Sequence, residues 1–305
     1  MVKSEAPGRI LMFTGKGGVG KSTCSAVTAL HYASGGLRTL AISTDATPSL
    51  SHVFEVSRGE KPARVTENLY IAELGGKEIR EMWDRKFGAE VYEVFSSFVA
   101  IDYEQFVEFM TSVLPGLGDE FMVDYIRELY GGGSYDCVVW DTAPLGQTLA
   151  LLQTPALLER HLRMAPRIYS RLKLGRRSRE PVLDILKRWE ALSAENMEFL
   201  RSTVEFNMVT IPEALAVAQM EDIFGELKRY GLQVSRLIIN NVLRAHGAGF
   251  LETRMRQQKG YLDTIYRRCA GLPVVELSMF PYELKGLERL KEAETALFSS
   301  PSTTD

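Results

Sequence analysis

The chain alternates between short apolar runs and stretches with apolar residues at helical spacing. The first run occupies residues 9–14, and a helical pattern of Ala, Val and Leu follows it over residues 22–34. A second helical pattern covers residues 213–230 and stops before Gly231. Buried strands that alternate with helices predict an α/β fold with a doubly wound, mainly parallel sheet, whose ligands bind at the carboxyl ends of the strands. The other runs that we predict to be strands are residues 37–43, 69–74, 137–140, 204–211, 237–239 and 273–277.

Two stretches, residues 76–130 and 155–202, are longer than a crossover between neighbouring strands requires. Both carry apolar residues at helical spacing, so we predict helical insertions that pack beside the sheet. We therefore expect residues 1–305 to form a single domain with an inserted α-helical subdomain, and residues 299–305 to be a disordered tail. The apolar stripes consist of Phe95, Phe98, Val99, Phe106, Phe109, Met110 and Val113 in the first insertion and of Val182, Ile185, Leu186, Trp189 and Leu200 in the second.

The composition is that of an ordinary globular protein and argues against several classes. Hydrophobic residues make up 45% of the 305 residues and charged residues 25%. The formal net charge of −3 argues against nucleic-acid binding, which needs a basic surface. The sequence has neither an apolar run of transmembrane length nor the apolar core of a signal peptide, so we predict a cytoplasmic protein. The cysteines Cys24, Cys137 and Cys269 are scattered and odd in number, which favours buried core thiols over disulfides or metal ligands.

Residues 15–23, with the sequence GKGGVGKST, carry the most informative motif of the chain. They match the phosphate-loop pattern G-x-x-x-x-G-K-[ST], in which glycines let backbone N–H groups approach a phosphate chain. We expect Lys21 to neutralise the β and γ oxygens of a nucleotide and the Ser22 hydroxyl to ligate Mg²⁺. A ligand-free glycine turn is the alternative, but the predicted strand before the loop and the helix after it favour a nucleotide site. The residues expected to bind nucleotide are Gly15, Lys16, Gly17, Gly18, Val19, Gly20, Lys21, Ser22 and Thr23.

Two aspartates follow predicted strands and are candidates for phosphoryl-transfer chemistry. Asp141 follows the run 137–140, where its carboxylate can hold Mg²⁺ directly or through a water. Asp45 comes just after the run 37–43, where its carboxylate can accept a hydrogen bond from the attacking water. For each residue the alternative is an ordinary aspartate that caps a turn.

Through several segments the chain resembles the arsenite-pump ATPase family, which includes the chaperone ATPases that guide tail-anchored membrane proteins to membranes. The loop is similar to the family's deviant phosphate loop, and two later segments are similar to its switch I and switch II. The resemblance implies a P-loop NTPase fold, and its motifs extend over residues 9–290. The segments concerned are residues 15–23, 43–51, 141–149, 211–213, 239–241 and 282–286.

The resemblance also implies a catalytic arrangement in which two subunits face each other across a pair of ATP molecules. Lys16 of one subunit would reach the phosphates bound by the other, in the manner of an arginine finger. Asp45 would polarise the attacking water, and Asp141 would act on the metal, through a water in the expected arrangement. The expected catalytic residues are therefore Asp45, Lys16 and Lys21, with ATP and Mg²⁺ as ligands.

The base of the nucleotide is expected to lie near the last strands. The resemblance implies that Asn240 reads the adenine edge, although a strand-end amide that satisfies nearby backbone is the alternative. Phe280 and Pro281 would line the base. Many targeting members hold zinc between subunits with a C-x-x-C motif, but Ala248 and Leu251 stand at those positions, so we expect no zinc site.

Two functions compete, and a further alternative is one of the deviant-loop ATPases that partition DNA or position the division plane, which typically lack such long insertions. The first is a dimeric targeting chaperone that shields the transmembrane helix of tail-anchored clients in a groove built from the insertions, with a transient membrane receptor as a further partner. The second is the catalytic subunit of an arsenite pump, which needs converging cysteine thiolates. The chain lacks paired cysteines and has one phosphate loop, where the pump ATPases usually fuse two halves. Methionines suited to an adaptable groove lie in or beside the insertions: Met82, Met110, Met122, Met164, Met197 and Met208.

Overall fold

The computed structural model describes most of the chain as two compact units. The sheet unit draws on Met1–Glu73, Gly132–Thr148 and Thr203–Asp305, and the helical unit on Leu74–Gly131 and Leu149–Ser202. The expected tail, residues 299–305, and residues 155–178 lie outside the described residues. The structure describes residues 8–44, 49–57, 62–89, 92, 96, 101–113, 117–142, 179–244 and 249–298.

Eight strands form one sheet in the sheet unit. They are β1 (Arg9–Thr14), β2 (Thr39–Ser43), β3 (Ala63–Arg64), β4 (Leu69–Glu73), β5 (Cys137–Asp141), β6 (Val204–Thr210), β7 (Val234–Val242) and β8 (Val274–Ser278). Their order is β3-β4-β2-β5-β1-β6-β7-β8, and all pairs are parallel except β3 with β4 at one edge. The predicted doubly wound, mainly parallel sheet is confirmed. Only β3 has no counterpart among the predicted runs, because two residues are too short to leave an apolar pattern.

Both faces of this sheet are covered, which is why its central strands are nearly continuous apolar runs. All residues of β2 and β5 are buried. In β1, Leu11 and Phe13 belong to the core cluster on one face. Ile10 and Met12 alternate with them toward the other face and are equally buried.

Helices in the described part of the chain supply the covering layers. In the sheet unit, α1 and α9 pack together, and both contribute to the core cluster that contains Leu11 and Phe13. Helix α7 packs against β6 and against α8. The helices are α1 (Lys21–Ser34), α2 (Leu50–Phe54), α3 (Gly76–Trp83), α4 (Tyr103–Val113), α5 (Leu117–Gly131), α6 (Arg179–Ser202), α7 (Ala214–Arg229), α8 (Gly249–Arg268) and α9 (Gly286–Phe298), and a π-helical turn at Asp84–Gly88 follows α3.

The helical unit contains α3 to α6 and an interior of its own. Trp83, Phe106 and Val107 form a buried apolar cluster. Asp124 on α5 is almost fully buried and pairs with Lys86 from the π-helical turn and with Arg127, whose Nη2 lies 2.9 Å from its carboxylate. Because a buried carboxylate is costly unless paired, this network favours one packing of the helices.

The methionines of the helical unit are only partly suited to the expected groove. Met122 and Met197 are buried in the interior, so they form core rather than surface. Met208 lies in β6, within the predicted run 204–211, and is also buried. The Met110 side chain and Met164 lie outside the described residues. None of the helices in the described ranges combines the length and apolarity needed to cross a membrane.

Candidate nucleotide site

The carboxyl edge of the sheet gathers the chemistry-bearing residues, as expected for a doubly wound fold. Across neighbouring parallel strands, Ser43 of β2 pairs in register with Glu73 of β4 and with Asp141 of β5. Asp141 pairs on its other side with Phe13 of β1. Since in-register residues point to the same face, Glu73, Ser43 and Asp141 form a polar row beside the strand that leads into the glycine loop.

The glycine loop follows β1 and adopts a backbone that requires glycine at specific positions. Gly15 has φ +146°, and a Cβ there would lie 2.2 Å from the backbone oxygen of Val209. Gly20 has φ +90°, and a Cβ there would lie 2.3 Å from Nδ2 of Asn240. Both are conformations that L side chains rarely adopt. The loop is therefore held close to the backbone of β6 and to a side chain of β7.

Helix α1 begins directly after the loop and presents an open N-terminus. The N-cap of this described helix is Gly20, which has no side chain to occupy the first N–H groups, and the first turn carries no acidic residue. The first N–H groups of a helix have no partner within it, and together with the helix dipole they attract anions. Lys21 is only 7% exposed, and its Nζ donates to the backbone oxygen of Lys16 at 3.1 Å. The ammonium group thus lies over the loop where a phosphate chain would bind.

Asp141 is fully buried at the end of β5 and is held by its surroundings. The Ser49 hydroxyl donates to Asp141 Oδ2 at 3.1 Å, and the Thr44 amide donates to its backbone oxygen at 3.1 Å. The residues fit a Mg²⁺ ion by donor chemistry, because hard cations prefer carboxylate and hydroxyl oxygens. The hydroxyl is that of Ser22, which lies in the first turn of α1 next to the loop. Such an ion would neutralise charge on the transferred phosphoryl group.

Asn240 supports the loop from β7. Its Nδ2 donates to the backbone oxygen of Val19 at 2.9 Å, and the side chain is buried. The amide nitrogen thus donates a hydrogen bond to the loop, while the expected contact with adenine stays a prediction. Beside it, Asn241 adopts φ +57° where the β7–β8 register shifts, and Gln258 of α8 donates to its backbone oxygen.

The remaining predicted site residues fall in different places. Phe280 follows β8, is partly buried and packs against the core cluster that also contains Val19. Pro281 comes next and is exposed. Asp45 and the segment 143–149 lie outside the described residues, so their roles stay predictions.

Sequence reasoning missed Ser49 and Glu73, which belong to the same edge. Ser49 is in contact with Asp141, and the buried carboxylate of Glu73 accepts from the Ser49 amide at 2.8 Å. A signal was present in the sequence, because Glu73 is a charged residue at the end of an otherwise apolar run, as Asp141 is.

A glycine-rich phosphate loop between β1 and α1 of a doubly wound parallel sheet defines a P-loop NTPase. The chain matches the model of the anion-transporting ATPase family over residues 8–299 and belongs to that family. It is thus an ATPase that binds nucleotide.

Relatives of known name cover most of the chain. It is 29% identical to a proposed arsenical pump-driving ATPase of Chlorobaculum tepidum, an alignment that covers 93% of this chain and 73% of that protein. It is 30% identical to a proposed arsenical pump-driving ATPase of Aquifex aeolicus, over 93% of this chain and 97% of that protein. It is also 30% identical to the ATPase GET3A of Arabidopsis thaliana, over 91% of this chain and 80% of that protein.

Replacement of Asn240 by alanine tests the two roles of its amide. The variant leaves the buried Val19 oxygen without this donor, so we expect affinity for both ATP and GTP to fall about tenfold. If the amide also reads adenine, ATP affinity falls roughly a further tenfold, since a second hydrogen bond is lost. Equilibrium titration with fluorescent analogues of both nucleotides measures the two affinities. Equal losses for ATP and GTP would show that Asn240 supports the loop and does not read adenine.

Proposed function

We propose that the chain is a Mg²⁺-dependent ATPase that works as a homodimer in the cytoplasm and shields the transmembrane helix of tail-anchored membrane proteins. ATP binding closes two copies across the nucleotides, and hydrolysis opens them and releases the client. Three features support the proposal. The chain is an ATPase, it resembles the targeting chaperones, and it has a separate helical unit.

The burial of all three cysteines is the observation that favours this function over an arsenite pump. Cys24, Cys137 and Cys269 are all buried free thiols, and the first two belong to the core of the sheet unit. Burial raises the pKa of Cys24 and of Cys137 to about 12, and it also raises the pKa of Cys269. A metalloid site needs exposed thiolates that converge, so these residues do not supply one.

Lys16 supports the dimeric part of the proposal. Its backbone oxygen accepts a hydrogen bond from the Lys21 ammonium group, and its side chain is partly exposed. Among the described residues, no ion pair or hydrogen bond engages the Lys16 ammonium. A cation held at the rim of the phosphate loop in this way is suited to phosphates bound by a second copy.

The helical unit is the proposed client-binding part. Its helices α4 and α5 are amphipathic in sequence. On the inward side of α5, the Asp124 carboxylate is buried and paired with Arg127. A helix-in-groove mode, in which an apolar helix lies on apolar side chains, suits a unit of this type. The arsenical pump remains the second candidate because several relatives carry that name.

Co-expression with a protein that bears a C-terminal transmembrane helix tests the proposal. We expect the client to co-purify with the chain, and a client with two arginines placed in the middle of that helix to be lost, because charge at that position opposes apolar burial. Capture should require ATP and should end on hydrolysis. Arsenite stimulation of the ATPase without client capture would replace the chaperone function by the pump function.

A further inference from the structure

Glu73 caps a helix that it does not belong to. Helix α2 begins after Ser49, and a serine at this position ordinarily accepts a hydrogen bond from an N–H of the first turn. Here Ser49 makes no such bond. Instead the buried carboxylate of Glu73, 8% exposed at the end of β4, accepts from the amides of Ser49 at 2.8 Å and of Ser51 at 3.1 Å, and from the Ser51 hydroxyl at 2.8 Å.

This cap frees the Ser49 hydroxyl for a different partner. Ser49 Oγ donates to Asp141 Oδ2 at 3.1 Å and lies 3.3 Å from Ser43 Oγ. To cap its own helix, the Ser49 oxygen would accept from an amide such as that of Ser51, and Glu73 already accepts from the Ser51 amide. The position of the hydroxyl is therefore set by the backbone amides that Glu73 holds.

We propose that Glu73 is a positioning residue for ATP hydrolysis and acts through Ser49 on the Asp141 carboxylate. The three residues come from β4, from the start of α2 and from β5, and the in-register pairs Ser43–Glu73 and Ser43–Asp141 fix their spacing. Groups that orient a metal-binding or water-binding carboxylate have a measurable effect on its chemistry. The inference rests on the proposed role of Asp141 and extends it to Ser49 and Glu73.

A double-mutant cycle on Ser49 and Glu73 tests the inference. Because partners around a metal ligand affect activity by roughly 10–100-fold, we expect Ser49→Ala to lower kcat about tenfold. ATP affinity in the presence of EDTA should stay unchanged, while the gain in affinity on adding Mg²⁺ should shrink. Glu73→Ala should show the same pattern, and the double variant should be no slower than the slower single variant, since both act through one hydroxyl.

Conservative variants separate positioning from a merely structural role. Ser49→Thr keeps the hydroxyl and should restore most of kcat. Tyr70→Phe, on the same strand as Glu73, is the matched control and should leave kcat, ATP affinity and the melting temperature unchanged. If Glu73→Ala does not fold, the comparison of Ser49→Ala with Ser49→Thr still decides, because Ser49→Ala keeps the backbone bonds of the cap.

The possible failures are distinguishable from one another. Additive losses in the double variant, or a Ser49→Ala enzyme with wild-type kcat and wild-type Mg²⁺ dependence of binding, would overturn the inference. Asp141→Asn is measured beside them. If Asp141→Asn is slow while Ser49→Ala is not, only the role of Glu73 and Ser49 is wrong. If Asp141→Asn turns over at the wild-type rate, the proposed role of Asp141 is wrong and the inference falls with it.

Discussion

A mixture of the Lys16→Ala and Asp45→Asn variants should hydrolyse ATP although neither variant does so by itself. In the proposed dimer, the site on a Lys16→Ala subunit keeps its own Asp45 and receives an intact Lys16 from the Asp45→Asn partner. That one site is complete. Charge supplied to phosphates in trans contributes about 10³–10⁵-fold to turnover in related phosphoryl-transfer enzymes, so the recovered rate should stand far above either background.

The measurement is steady-state phosphate release against the ratio of the two variants at fixed total concentration. The rate should peak at equal amounts, where the mixed dimer is most abundant. Lys16→Ala should still bind nucleotide by equilibrium titration, because Lys21 and the loop backbone remain. A mixture with no more activity than its components would place Lys16 in its own subunit's site, and the cross-subunit mechanism would be wrong.

Gly15→Ala is expected to abolish nucleotide binding and to destabilise the fold. The added Cβ would lie 2.2 Å from the Val209 backbone oxygen at a φ of +146°. Val209 is fully buried near the C-terminal end of β6 and pairs in register with Ile238 of β7, so its backbone cannot move without disturbing that ladder. We therefore expect the free energy of unfolding to fall by roughly 3 kcal/mol or more, since a forbidden backbone conformation and a clash in a packed core add together.

Gly18→Ala separates strain from clash within the same loop. Gly18 also has a left-handed φ, +78°, but a Cβ there meets nothing within 4 Å. Its cost should be the conformational one, about 1–2 kcal/mol. Urea denaturation without nucleotide measures both variants. Equal destabilisation of the two would contradict the close approach of the loop to β6.

The fold could be predicted to a large extent because its signals are local. Each buried strand of a parallel sheet is a short apolar run, and every predicted run overlaps a strand of the structure. The prediction that Lys21 and Ser22 bind nucleotide has a similar basis, since the phosphate loop is one continuous segment between a strand and a helix. The family membership shows an ATPase, and the roles of the two side chains stay predictions.

The support of the site could not be predicted in the same way. Asn240 and Val19 are 221 positions apart, and Glu73 and Ser49 are 24 apart, so no local pattern joins them. The methionines were misleading for a related reason. An apolar residue at helical spacing has the same pattern whether it faces a groove or a core, and only packing placed Met122 and Met197 in the interior.

The sequence by itself determined the class of this protein: the phosphate loop, the alternation of strands and helices, and the excess of helix between strands. These features follow from periodicity and from residue types at fixed spacing, which are properties of a continuous segment. Only the tertiary structure decided which residues meet. The strand order β4-β2-β5-β1 differs from the chain order, and it is this order that brings Glu73, Ser43 and Asp141 side by side at the phosphate loop. Strand order is set by the best combined burial and pairing of all strands, which no single segment encodes.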